Sequence, residues 1–171
     1  MQNQKDFALT VIRGVTGCGC ALFLAAVLYP IFMQEKGPSP GSRCLSNAKI
    51  LGLGLKLYQE DYDDHFPQAS EWMDATLPYV KDKVRYHCPS LDNSHADDFG
   101  YAFNSSLSLQ RLDRHASPEK VVMLYDASDL HWNAHAPNRS GAANPPRHHG
   151  KDIFAYADGH AKIQSLPGQQ E

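Results

Sequence analysis

The order of apolar and polar positions divides the chain into an uncharged stretch, a short break and a long mixed region. From Gly14 to Met33, "GVTGCGCALFLAAVLYPIFM", twenty residues carry no charge, whereas the chain after Glu35 is polar and mixed. At about 1.5 Å of rise each, twenty helical residues span roughly 30 Å, the hydrocarbon thickness of a bilayer. The pattern predicts one retained transmembrane helix over residues 14–33, because the run exceeds the roughly 7–15 residues of a signal core and lacks a small-x-small exit. A cleaved secretory signal and a buried core helix are the competing readings. "EKGPSPGS", Glu35 to Ser42, holds two prolines and two glycines and reads as a linker. A second, amphipathic helix is predicted from Ser42 or Arg43, since Ala48, Leu51, Leu55, Tyr58 and Tyr62 recur at steps of three and four. That stripe is read as core-facing. "GLGLK", Gly52 to Lys56, falls inside the helical pattern and not after a strand, which argues against a phosphate loop.

Further along, Trp72, Leu77, Tyr79 and Val80 form a short apolar segment, and the proline of "RYHCPS", Arg85 to Ser90, marks a turn. "YAFN", Tyr101 to Asn104, and "KVVMLYDA", Lys120 to Ala127, are aromatic and β-branched enough to be strands. Ser128 to Pro146 reads as a long loop, and a loop on a rigid scaffold is the natural place for specificity. "DIFAYA", Asp152 to Ala157, and "HAKIQSL", His160 to Leu166, flank Asp158-Gly159, a hairpin signal that points to a type I′ turn with positive φ at both residues. Phe154 and Tyr156 then share one face, with Ile153, Ala155 and Ala157 on the other. His148 lies ten positions before Asp158, and five or six intervening strand residues cover roughly 17–20 Å, too far for a direct dyad. His148 is instead expected to anchor a loop at one end of the strand, and Asp158-Gly159 to turn it at the other. Three segments result: 1–34 with the membrane helix, the 35–42 linker, and an α+β domain over 43–171.

Composition narrows the function. The 16 basic and 19 acidic residues are close to balance and leave no nucleic-acid footprint. Orientation cannot be read from charge alone, since Lys5 and Arg13 precede the apolar run while Lys36, Arg43, Lys49 and Lys56 follow it. Of four cysteines, Cys18 and Cys20 lie in the apolar run; Cys44 and Cys88 are the pair in the polar region that an oxidising compartment would join, the alternative being two unrelated thiols. "VTGC", Val15 to Cys18, resembles a lipidation box, but the longest apolar run follows Cys18 and Arg13 interrupts what precedes it. His131, His135, His149 and His160 have no metal-ligand spacing outside a loop, and "DYDD", Asp61 to Asp64, lacks the glycine and terminal glutamate of a calcium loop. No local signature of a catalytic triad is present. No catalytic residue, metal or cofactor is expected, and a histidine-based metalloenzyme remains the least favoured reading.

Taken in order, "LAAVLYPIF" (24–32), "CLSNAKILGLGLKLYQEDYDDHFP" (44–67), Trp72, "YV" (79–80), "CPS" (88–90), "YAFN", "VVMLYDA" (121–127), His148 and "FAYADGHAK" (154–162) cover most of the chain. Together they resemble the bacterial pilin-like proteins that carry a prepilin-type N-terminus and a C-terminal H-x9-DG motif. The resemblance implies a pilin-like α+β fold, with an N-terminal transmembrane helix and a second helix packed on a small antiparallel sheet. It implies a single-pass protein of the bacterial cytoplasmic membrane, C-terminal domain outside, with the lipid bilayer and other pilin-like subunits or secretion components as partners. It implies no catalytic residue. The N-terminus departs from the family pattern: in ungapped register Ala8 occupies the glycine before the cleavage point, Leu9 the phenylalanine and Arg13 the glutamate. That glutamate is thought to neutralise a neighbour's N-terminal amine inside the membrane, and arginine turns this attraction into repulsion. A permanently anchored, non-polymerising binding module is therefore the alternative to a pilus or type II secretion subunit.

Overall fold

Ser39 and Pro40 start the main helix, α1 (Pro40–Asp61), earlier than the hydrophobic stripe indicates. The Ser39 hydroxyl accepts a bond from the Ser42 amide at 3.3 Å, and Pro40 sits where a missing N–H costs nothing. The last three residues of the expected linker, 40–42, are thus the first turn of α1, because Ser-Pro-Gly here is a capping sequence. The computed structural model describes residues 23–29, 37–91, 95, 97–112 and 117–165. Chain contacts divide it into two units, Met1–Gly37 and Pro38–Glu171. In the first unit residues 23–29 are helical and exposed; the rest of the expected 14–33 span, together with Ala8, Leu9 and Arg13, lies outside the described residues. Among the described residues no helix is long and apolar enough to cross a membrane.

Cys44, Ala48, Leu51 and Leu55 of α1 are fully buried, as the stripe requires. The stripe leaves the core at its C-terminal end, where Tyr62 is 53% exposed and stacks on Tyr58 with ring centres 4.1 Å apart. A second helix, α2 (Trp72–Val80), crosses α1 closely: a Cβ at Gly54 would lie 2.7 Å from Val80 Cγ2. Trp72 is fully buried, and its indole N–H donates to the Ala134 carbonyl at 3.0 Å.

Five strands follow: β1 (Tyr101–Asn104), β2 (Val122–Asp126), β3 (His135–Ala136), β4 (Asp152–Tyr156) and β5 (Ala161–Gln164). They form one sheet in the order β3-β1-β2-β4-β5. The α+β class is as expected, but the sheet is mixed and not antiparallel, because β3 runs parallel to β1. β2 ends beside the start of β1, so a chain that steps over β1 to the free edge and turns back along it must run parallel to β1. The 128–146 segment therefore contributes an edge strand.

Both sheet faces are covered. α1 and α2 pack on Tyr101, Phe103, Met123, Ile153, Ala155 and Ala157. Ala102, Val122, Tyr125, Phe154 and Tyr156 face the other way and are closed over by Ala134 and Ala142 of the long segment. Burial on both faces explains why "YAFN" and "VVMLYD" run continuously apolar instead of alternating. The β4–β5 hairpin and its face assignment match the sequence reading, but the turn type does not. Only Gly159 has positive φ, at +95°. The Gly159 amide donates to the Tyr156 carbonyl at 2.8 Å and the Tyr156 amide to the His160 carbonyl at 2.9 Å. These bonds define a three-residue loop ending in a left-handed glycine, the other common hairpin closure.

Candidate functional site

Beneath the first turns of α1, three chain segments bring polar side chains into the core. α1 supplies Cys44, the loop after Tyr86 supplies Cys88, and the turn before β4 supplies Arg147 and His148. Asp126, at the end of β2, and Asp152, at the start of β4, complete the cluster. Both cysteines and both carboxylates are fully buried, and His148 is 6% exposed.

Asp126 organises the group. One carboxylate oxygen accepts from the Ile153 amide at 2.7 Å and meets His148 Nε2 at 3.0 Å, while the other lies 3.8 Å from Arg147 Nη1. Arg147 also donates to the carbonyls of Gly100, at 2.7 Å, and Ala127, and its amide donates to Asp152 at 3.2 Å. Burial opposes a charged His148, but the hydrogen bond and the charge of Asp126 outweigh it and raise the imidazole pKa. Asp152 lacks an equally close cation; burial pushes its carboxyl up to about 6.

The two sulfurs lie 2.8 Å apart, and both cysteines are free thiols in the structure. Cys44 also donates to the Ser90 hydroxyl at 3.3 Å. The Cys88 thiol stabilises the Cys44 thiolate and draws its pKa down, while contact with Cys44 and burial push Cys88 up. One sulfur can ionise easily, and the second is then held protonated.

Cys44, Cys88 and His148 are, among the described residues, the one group of three with ligand atoms close enough to hold a metal ion. The spacing fits a metal poorly. Two thiolates on tetrahedral zinc, at about 2.3 Å each, stand about 3.8 Å apart, so the sulfurs would have to separate by about 1 Å. A cysteine–histidine–aspartate relay fits no better, because it uses both ring nitrogens and here Nε2 faces both Cys88, at 4.0 Å, and Asp126.

His148 and Asp158 have separate partners. Asp158 accepts from the His160 ring at 2.6 Å and its carbonyl accepts from Lys56 at 3.4 Å, which docks the turn on α1. His131 pairs within its own turn with Asp129 at 2.7 Å, and His135 and His149 are exposed. Of "DYDD", Asp61 accepts from the Tyr79 hydroxyl at 2.7 Å and Asp64 pairs with Arg111 at 3.6 Å. Cys44 and Cys88, 44 positions apart in sequence, do meet. Sequence reasoning missed Asp126, Arg147 and Asp152; the available signal was the acid closing the apolar run "VVMLYD" and the charged residues flanking His148 in "RHHGKD". The site is thus a closed thiol–imidazole–carboxylate cluster in an α+β domain. Compared with protein-family models, curated proteins and solved structures, the chain finds no match in any of the three.

Proposed function

We propose that the chain is a non-enzymatic, pilin-like protein of the bacterial cytoplasmic membrane, held by residues 14–33, with an extracytoplasmic domain that serves as a subunit or accessory of a pilus or type II secretion-like assembly. The observation that carries this reading is a long helix laid on a sheet through Cys44, Ala48, Leu51 and Leu55, preceded in the sequence by an uncharged run of twenty residues that ends at Met33. The buried cluster supports a structural role for His148: its ring meets Asp126 at 3.0 Å and so ties the turn before β4 to the end of β2. Co-purification with pilus or secretion components from native membranes is the expected result. Recovery without any such component overturns the assembly role.

One observation favours a second reading, a permanently anchored binding module that does not polymerise. Ser39 has non-helical backbone angles, φ −55° and ψ 153°, and caps α1 afresh. Arg13 stands where the family pattern has glutamate. Top-down mass spectrometry of the N-terminus separates the two: a chain beginning at Leu9 supports the processed subunit, and one beginning at Met1 or Gln2 supports the fixed anchor.

A further inference from the structure

We infer that Cys44 and Cys88 are the two halves of a buried disulfide that staples the first turns of α1 to the loop leading into β1, installed before the domain closes over them. The inference deepens the extracytoplasmic reading, on which it rests for the oxidising surroundings. At 2.8 Å the sulfurs are already inside the roughly 3.5–4 Å of an ordinary van der Waals contact and need less than about 1 Å to reach bonding distance, about 2.05 Å. A shared metal requires the opposite displacement.

The backbone around the pair is fixed by contacts that do not involve either sulfur. The Tyr101 hydroxyl donates to the Cys44 carbonyl at 3.0 Å, Asn47 donates to the His87 carbonyl at 3.1 Å, and the Cys88 amide donates to the Phe99 carbonyl at 2.9 Å. With the backbone held in this way, the remaining approach of less than about 1 Å is left to the two side chains. Full burial of both cysteines sets the order of events, because a bulky oxidant cannot reach either sulfur once the domain has folded.

The chemistry is thiol–disulfide exchange with a disulfide-bearing oxidant, either an envelope oxidoreductase or a small-molecule disulfide. The thiolate of one cysteine attacks a sulfur of the oxidant, whose S–S bond breaks, and the departing thiolate takes up a proton. The second cysteine, losing its proton, attacks the mixed disulfide at the first and releases the other half of the oxidant as a thiol. Two thiols become one S–S bond, and the oxidant gains two electrons and two protons.

The test uses the full chain from membranes of its host, quenched in acid, blocked with N-ethylmaleimide in denaturant without reductant, and peptide-mapped, with zinc measured on an unblocked sample. The expected result is a single cross-linked peptide pair joining Cys44 to Cys88, unlabelled and about 2 Da lighter than its reduced parts, which glutathione reduces far more slowly in the folded chain than in denaturant. A parallel sample is reduced, unfolded and refolded with oxidised and reduced glutathione. Should the native pair be reduced while the refolded pair cross-links, the staple stands and the extracytoplasmic placement falls. Maleimide on both cysteines in both samples overturns the inference, and stoichiometric zinc with two free thiols replaces it with a metal site.

Discussion

At the scale of single residues, the cluster around His148 is held by charge, and its pH response follows from which groups gain or lose a proton on folding. Asp152 moves from an ordinary 3.8 to about 6 on folding, a difference worth on the order of 3 kcal/mol. The folded state binds the extra proton between those values, so this contribution to stability is present below about pH 4 and lost as pH rises through about 6. His148 is also raised, so its contribution is present below its ordinary 6.5 and lost as pH climbs through its higher folded value. Asp152→Asn keeps an oxygen for the Arg147 amide and removes the charge. Relative to wild type, it is therefore expected to gain stability as pH rises from about 4 to about 6 and to level off above that. Urea titrations at several pH values measure this directly, and parallel curves for the two proteins rule it out. Asp126→Ala should behave differently, since it strands a buried imidazole and the Ile153 amide together. A loss of about 3–5 kcal/mol in the same titration is expected.

At the scale of elements, α1 carries two interior glycines, Gly52 and Gly54, that a sequence cannot tell apart. Both sit mid-helix, where alanine is intrinsically better by about 1 kcal/mol. A Cβ at Gly52 meets Ala155 and Met123 at 3.6 and 3.7 Å, ordinary contact, so Gly52→Ala is expected to stabilise by up to about 1 kcal/mol. A Cβ at Gly54 collides with the stiff Val80 side chain at 2.7 Å, so Gly54→Ala is expected to destabilise by about 1–3 kcal/mol through overpacking. Thermal melts of the two variants should move in opposite directions; a shared direction contradicts the helix crossing described above. The hairpin carries the same lesson about local signals. Asp-Gly between two strand-like runs located β4 and β5, and their faces followed correctly because successive side chains of a strand point to opposite sides of the sheet. Turn type was not legible, since Asp-Gly is compatible with either closure and the choice here accompanies the docking of the turn on Lys56. Gly159→Ala, forced to adopt φ near +95° with its Cβ 3.2 Å from Lys56, should cost about 1–2 kcal/mol.

At the scale of the whole molecule, what the sequence revealed and what it hid have one cause, the reach of the interactions involved. The helix α1, the strands β1, β2, β4 and β5 and the meeting of Cys44 with Cys88 were anticipated from periodicity, composition and the small number of cysteines, whereas α2 was read only as a short apolar segment. The parallel edge strand β3 and the pairing of His148 with Asp126 were not anticipated, because each joins segments through a two-residue strand or a single side chain that leaves no periodic trace. Among the described residues, every buried member of the helix-side core lies between Cys44 and Ala157 and the side chains packed against it lie between Leu45 and Ile163, all within the unit that begins at Pro38. A chain beginning at Pro38 is therefore expected to melt within about 2 °C of the full-length protein, where a ~1 kcal/mol loss would move a domain of this size by roughly twice that. Solubility should separate them completely. An uncharged run of twenty residues has the length and composition to remain in hydrocarbon. The full chain is accordingly expected to stay with membranes through alkaline carbonate washing and to need detergent for release, while the shorter chain remains in the aqueous fraction. Release of the full chain by carbonate alone rules out the span and with it the anchored reading, whereas retention of both chains places the membrane contact within the folded domain.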